Sequence, residues 1–485
     1  MLGRATTHAL VGLEPRRVEV EAHLADGKPS FTIVGLADRA CQEAKERVRS
    51  GIISAELRFP PGKVVVNLAP AGLRKEGSAF DLSIALAVLA ASDQIEPAAL
   101  RGHAAVGELA LDGRLRPVGG VLAVAEGARR LGLKRILCPA ESSPEAALAG
   151  VDPIPVRHLT EAVLYLRTGS RPPPYVHSTG THDEAAPPDL VDVKGQERAR
   201  RALELAAAGR HNLLLAGPPG TGKTMLARRL PGILPRLARA EALEVTRIHS
   251  VAGVVSRPGR LIETPPFRAP HHSASAAAIV GGGTGPRPGE ASLAHRGVLL
   301  LDEFPEFQRH VLEALRQPLE DGMISIARAA GQAIFPARFQ LVATMNLCPC
   351  GGRADVGAEC SCTPQRLAAF RAKLSQALLD RFDLVVTMPR PRARDFSASP
   401  GESSTDVRGR VERARERLLN GPPARGDEAN ALLDRAVERL PLSGRGRARV
   451  ARVAATAAAL IGSDRVDAEH VAEALSFRSP KELDA

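Results

Sequence analysis

The sequence predicts a multidomain α/β chain, with a mixed α/β domain in front, a phosphate-loop core built on a parallel sheet in the middle, and a helical domain at the end. Three observations carry this. Gly217-Pro-Pro-Gly-Thr-Gly-Lys-Thr224 follows the apolar run Asn212-Leu-Leu-Leu-Ala216 and leads into Met225-Leu-Ala-Arg-Arg-Leu230. A second apolar run, Val298-Leu-Leu-Leu301, ends in Asp302-Glu303. Beyond Pro389 these patterns give way to arginine-rich amphipathic stretches. At 485 residues the chain exceeds one ordinary core, given about 100–200 residues per domain.

The first element to justify is the glycine-rich turn. Gly217, Gly220 and Gly222, with Pro218, Pro219 and Thr221 between them, let the backbone curl so that N–H groups face the β- and γ-phosphates of a nucleotide at a helix start. Lys223 is then expected to reach those phosphates and Thr224 to coordinate Mg²⁺. The acidic pair is the second signature. A carboxylate at the carboxyl end of a buried strand can hold Mg²⁺ and the next can polarise the attacking water, which assigns Asp302 to the metal and Glu303 to the water.

Composition bounds the rest. No apolar run is long enough to span a bilayer and no signal-peptide pattern opens the chain, so a cytoplasmic protein without a membrane partner is expected. A net charge of +11 favours a polyanionic partner, since arginine and lysine gain affinity by releasing counterions from phosphates. The nine lysines against fifty-six arginines also fit a GC-rich genome, so charge alone leaves both readings open. Tryptophan is absent and aromatics make up 3%, which argues against a base-stacking platform and for contacts to a nucleic-acid backbone.

Taken in order, residues 1–168 read as mixed α/β, with Val64-Val-Val66 as a strand and Leu82 to Ala91 as a helix. Lys75-Glu-Gly-Ser-Ala-Phe-Asp-Leu, Gly107 to Gly120 and Cys138-Pro-Ala-Glu141 resemble the proteolytic domain of Lon proteases, which implies that fold. The position matching the Lon nucleophile is Ala79, Ser78 sits one place early, and Val121-Leu-Ala-Val-Ala125 holds no lysine where a base would be needed. No peptidase is expected, and Ser78 reads as a loop or helix-start hydroxyl. Residues 169–190, rich in Pro, Ser, Thr and Gly, read as a linker.

Residues 191–389 form the expected core. Glu197 to Ala208 is helical, and a long insertion carries Phe267-Arg-Ala-Pro-His-His-Ser273, Gly281-Gly-Gly283 and Pro286 to Glu290. His271 and His272 are adjacent and lack a third ligand, so a loop role outweighs metal. Met323 to Arg328 and Gln332 to Phe335 read as a hairpin, and Gln340 to Met345 as a strand ending at Asn346, whose amide can orient water or sense the γ-phosphate. Cys348-Pro-Cys350 and Cys360-Ser-Cys362, nine residues apart, can supply four thiolates to a structural zinc, with plain reduced thiols as the alternative. Arg381, in Leu379-Asp-Arg381 after a helix, is a candidate to reach a γ-phosphate held by a neighbouring subunit; a local ion pair with Asp380 or Asp383 is the alternative. Residues 390–485 read as a helical lid, with helices at about 404–420, 429–440, 446–461 and 468–477, Arg445 as candidate second sensor of the nucleotide and Arg449 as fallback.

Together, Val34 to Asp38, Val66 to Pro70, Asp192 to Gln196, the phosphate loop, Phe267 to Ser273, Pro288-Gly-Glu290, Leu301-Asp-Glu303, Met345-Asn346 with the cysteine pairs, and Leu379-Asp-Arg381 resemble the ComM/YifB family of magnesium-chelatase-like AAA+ ATPases. The resemblance runs from the first residues to Phe477-Arg478. It implies ATP and Mg²⁺ as ligands and an inactive Lon-like domain in front. It further implies a hexameric ring acting on DNA, in natural transformation and branch migration. Leu347, Gln376-Ala377 and Ala327 depart from the family pattern and bear on hairpin and subunit contacts. The leading expectation is a DNA motor with Arg328 touching phosphate, and the alternative is a chelatase-like or chaperone-like remodeller of a protein partner.

Overall fold

The structure is a computed structural model that describes residues 2–176, 187–255, 257–283, 286–328, 331–353, 355, 359–396, 401–440 and 442–478. The front half is organised by a long hairpin. Strands β1 (Leu2–Val11) and β2 (Glu14–Ala25) pair antiparallel up to Val11 and Glu14, with Gly12 at φ +62° in the turn. Around them β3 (Ser30–Val34), β4 (Lys63–Ala69), β5 (His103–Ala105), β6 (Arg135–Pro139) and β7 (Asp152–Val156) complete a sheet of order β3-β4-β2-β1-β5-β6-β7. Helix α1 (Asp81–Ala91) is buried along its whole length and packs on β1 and β2, as a run that is apolar apart from Asp81 and Ser83 requires. Helix α2 (Val121–Arg130) covers the same strands with its Val121-Leu-Ala-Val-Ala-Glu-Gly-Ala128 face.

The core sheet has five parallel strands: β8 (Leu213–Ala216), β9 (Phe267–Arg268), β10 (Val298–Leu301), β13 (Gln340–Met345) and β14 (Leu384–Thr387), in the order β9-β10-β13-β8-β14. Four of them are continuous apolar or β-branched runs because both faces are covered. Between β10 and β13 lies a separate hairpin, β11 (Met323–Arg328) and β12 (Gly331–Pro336), whose register pairs Arg328 with Gly331. Helices α3 (Glu197–Gly209) and α4 (Arg239–Ala252) flank the sheet.

The C-terminal helices are α5 (Ser404–Asn420), α6 (Asp427–Arg439), α7 (Gly444–Ile461) and α8 (Ala468–Ser476), close to the spans expected from periodicity. They share one apolar core with α3 and the sheet: Leu203 and Leu215 lie in the same cluster as Val411, Val450 and Ala454. The front domain is docked as well. Gly120 N–H donates to the Ser250 carbonyl at 3.0 Å, Arg247 pairs with Glu126 at 3.2 Å, and Leu13 joins the cluster that holds Ile326 and Phe335 of the hairpin. The middle of the expected linker, 177–186, lies outside the described residues. No helix among the described residues is long and apolar enough to cross a membrane.

Candidate active site

Parallel pairing sets the site. Ala216, Leu301 and Met345 end neighbouring strands, so Gly217, Asp302 and Asn346, which follow them, emerge at one edge of the sheet. The turn needs a glycine at its start: Gly217 has φ +155°, and a Cβ there would lie 2.3 Å from the Met388 carbonyl oxygen. Gly220 and Gly222 also take positive φ, at +77° and +89°, with Pro218, Pro219 and Thr221 between them, and the Thr221 hydroxyl donates to the Pro218 carbonyl at 3.0 Å.

Lys223, only 9% exposed, donates to the carbonyls of Gly217 at 2.8 Å and Pro218 at 2.7 Å and to Asn346 Oδ1 at 3.1 Å. Burial pulls its pKa down, against Asp302 and Glu303, which raise it. Thr224 Oγ1 donates to Asp302 Oδ1 at 2.8 Å, so hydroxyl and carboxylate present oxygen donors side by side, the hard ligands that Mg²⁺ prefers. Curled loop, ammonium and oxygen pair thus form a cradle that fits a nucleotide with its metal.

One residue here was not singled out from the sequence. Thr344, 2% exposed, donates to Asp302 Oδ1 at 2.5 Å and accepts from Glu303 N–H at 3.1 Å, fixing both members of the acidic pair. Glu303 itself sits at φ +55° with its side chain turned to His272, Nδ1 to Oε2 at 3.5 Å. The His271-His272 stretch, read as a loop, therefore touches the residue expected to polarise water.

Arg381 and Arg445 are not brought to this cradle. Arg381 precedes β14 and so lies at the opposite, amino edge of the sheet, where its carbonyl accepts from Asn212 Nδ2 at 2.9 Å. The strands between the two edges span about 13 Å. Neither Asp380 nor Asp383 pairs with it. Its partner is Glu320, which also stands 3.8 Å from the exposed Arg445. Asp383 instead faces Arg449 at 3.5 Å and Arg452 at 3.3 Å, and Asp380 pairs with Arg478. Arg381, Arg449 and Arg452 line a cavity of about 430 Å³ at this edge, with Arg296, Arg338 and Arg415. The Arg328 side chain and the hairpin tip, 329–330, lie outside the described residues.

In the front domain the Ser78 hydroxyl donates to Glu108, while Lys75 is buried and donates to the Pro70 carbonyl. Neither the Ser78 hydroxyl nor the Lys75 ammonium has the other as its partner in these bonds. The cysteines do converge: Cys348, Cys350, Cys360 and Cys362 place all four sulfurs within 4.8 Å of one another. The Gly352 N–H and the thiols of Cys348 and Cys362 pull Cys350 down to about 5.

Three family models match the chain: "Magnesium chelatase, subunit ChlI" over 189–396, "Subunit ChlI of Mg-chelatase" over 20–142, and "Magnesium chelatase, subunit ChlI C-terminal" over 422–478. An uncharacterized protein of Mycobacterium tuberculosis (strain ATCC 25618 / H37Rv) is 46% identical, with 98% of each chain covered. The uncharacterized protein YifB of Escherichia coli (strain K12) is 42% identical over 98% of this chain and 96% of its own. The competence protein ComM of Haemophilus influenzae (strain ATCC 51907 / DSM 11121 / KW20 / Rd) is 41% identical over the same shares. With that coverage, the chain belongs to the ComM/YifB family of magnesium-chelatase-like AAA+ ATPases.

Proposed function

We propose that the chain is a DNA motor: a homo-oligomeric ring, a hexamer, in which ATP hydrolysis between subunits drives movement along DNA and branch migration of recombination intermediates. The observation that carries this reading is the split of the arginines from the phosphate loop. A single subunit holds Lys223, Asp302, Glu303 and Asn346 at one edge of its sheet, and Arg381 and Arg445 at the other. A head-to-tail contact brings one subunit's arginine edge to the next subunit's nucleotide, and such contacts close into rings.

The roles follow. Gly217 to Gly222 and Lys223 hold the phosphates, Thr224 and Asp302 hold Mg²⁺, Glu303 accepts the proton of the attacking water, and Asn346 reports the γ-phosphate to Lys223. The bound nucleotide supplies the phosphoanhydride that is cleaved. Arg381 and Arg445 neutralise charge on it from the neighbour, a contribution of about 10³–10⁵ in rate for an arginine supplied in trans. Arg328, at the end of β11, is the proposed phosphate contact on DNA; the net charge of +11 supports that partner, and the H. influenzae relative is a competence protein. The four cysteines are read as a structural zinc site, and the work is placed in the cytoplasm.

The chelatase models favour a second reading, remodelling of a protein partner by the same core. ATPase rates with and without single-stranded and branched DNA, at low and moderate salt, decide between them, with Glu303→Gln as the blank. Stimulation that fades with salt supports the motor. A rate indifferent to DNA and raised by a protein client overturns it.

A further inference from the structure

The four-cysteine knuckle lies against the nucleotide cradle. Its first ligand, Cys348, comes two residues after Asn346, the amide that Lys223 bonds at 3.1 Å. Immediately after Cys350, Gly351 turns at φ +78°, and a Cβ there would stand 2.8 Å from Pro219 Cδ of the phosphate loop. The knuckle and the loop are therefore in direct contact, and only glycine allows the approach. On its far side Asp355 pairs with Arg390 at 2.7 Å, just after Pro389, whose carbonyl is held by Gln196 at 2.8 Å, and Gln196 also reaches the Thr221 carbonyl at 3.4 Å.

The sulfur geometry is that of one tetrahedral ion. Bonds of about 2.3 Å to a single zinc put the sulfurs about 3.8 Å apart. The Sγ separations are 3.4 Å for Cys348–Cys350, 3.6 Å for Cys350–Cys360 and 3.7 Å for Cys348–Cys360, far from the roughly 2.05 Å of a disulfide. The Arg353 N–H donates to Cys348 Sγ at 3.3 Å, the kind of outer contact that orients a thiolate ligand.

Resting on the zinc reading above, we infer that the metal is a brace on the ATP site: one zinc locks the Cys348–Cys362 knuckle so that Gly351 buttresses Pro219 and holds the phosphate loop and Asn346 in register. Metal loading then sets nucleotide affinity, although no cysteine touches nucleotide. Loss of the ion frees the knuckle, and the phosphate loop and Asn346 lose their register with each other.

The test uses the full chain. Elemental analysis after zinc-replete expression should give one zinc per chain, with none in Cys350→Ser/Cys360→Ser, which alters the two exposed ligand positions. Binding of a fluorescent ATP analogue should weaken about tenfold in that variant and in chelator-stripped wild type, and recover in wild type alone when zinc is returned. Gly351→Ala separates metal from brace: it should keep its zinc and a near-normal unfolding midpoint, yet bind the analogue about tenfold more weakly, because its Cβ forces Pro219 away. Lys223→Ala should lose the analogue and keep zinc, so failure of the ATP site is distinguished from failure of the metal site. A zinc-free wild-type chain, iron in place of zinc, or stripped and Gly351→Ala proteins that bind nucleotide as tightly as loaded wild type would each overturn the inference.

Discussion

Replacing Thr344 by valine removes one hydroxyl and almost no volume, so its effect isolates what that hydroxyl does. Thr344 donates to Asp302 at 2.5 Å and accepts from the Glu303 N–H at 3.1 Å in a site 2% exposed to solvent. A hydrogen bond to a charged acceptor contributes about 1.5–3 kcal/mol, and a buried N–H left without a partner costs about 1–3 kcal/mol. Asp302 keeps the Thr224 hydroxyl at 2.8 Å, so the loss falls mainly on the orientation of the acidic pair. If about 2–3 kcal/mol of that is lost at the transition state, kcat falls about 30- to 160-fold. Steady-state ATPase over a range of Mg²⁺ concentrations should show the fall in kcat together with a raised Mg²⁺ requirement. Thr344→Ser keeps the hydroxyl and should stay within about threefold of wild type. A Val variant that is also within threefold, or a Ser variant as slow as Val, would refute the reasoning, because packing rather than the hydroxyl would then set the rate.

Three other outcomes are expected. The Glu303–His272 pair is solvent-exposed and 3.5 Å long, worth at most about 1 kcal/mol, so His272→Ala should raise the DNA-free ATPase rate by no more than about fivefold as Glu303 is released toward the phosphate loop; a tenfold fall would show His272 needed for the chemistry. Lys223→Ala and Arg381→Ala should each be inactive alone, whereas a one-to-one mixture restores activity at about a quarter of the interfaces if the arginine acts in trans, and at none if it serves only its own subunit. In the front domain, burial raises Asp81 to about 6 from an ordinary 3.8, against the Arg47 guanidinium at 2.6 Å and the Leu109 N–H. The folded state thus holds that proton more tightly than the unfolded one, so its contribution to stability is greatest below about pH 4 and falls, by on the order of 3 kcal/mol, as pH rises through 6. Thermal unfolding from pH 4 to 7 should show that slope in wild type and a flatter one in Asp81→Asn; equal slopes would remove Asp81 as the cause.

The nucleotide cradle was legible because its signals are local. A parallel strand buried on both faces reads as an unbroken apolar run, and the turn after it admits few residue types, so Gly217 to Thr224 and Asp302-Glu303 announce themselves. Thr344 does not. It is an ordinary strand residue, and only the register that sets Leu301 beside Ala343 carries it to the acidic pair. Glu320 is hidden for the same reason, since the fold alone brings the end of the segment before β11 to Arg381, and the chain-adjacent Asp380 and Asp383 were the natural but unused partners. The helices after Pro389 were legible to within a few residues because amphipathic period and capping residues are also local, whereas the order of the front sheet, which places β1 between β2 and β5, leaves no mark on its strands.

The front domain bears on how such a core could transmit force. Leu13, at the β1–β2 turn, is 3% exposed and shares a cluster with Ile324, Ile326, Ala333 and Phe335 of the hairpin, and a Cβ on Gly12 would stand 3.1 Å from the Ala333 Cβ. Behind it Glu145 takes the Leu122 N–H at 2.9 Å and the Ser250 hydroxyl, tying α2 to α4. Swinging this domain away would expose Leu13, at a cost of about 2 kcal/mol, and leave Glu145, whose pKa burial already raises, without its partner across the interface. A domain held on both sides in this way is a shoulder rather than a gate. It steadies the hairpin, where Ile324 and Ile326 of β11 and Ala333 and Phe335 of β12 are buried. The hairpin begins at Met323, just past Glu320, the residue that pairs with Arg381. On the proposed function, an arginine drawn toward a neighbour's nucleotide would release Glu320, three residues before β11, the strand that ends at Arg328.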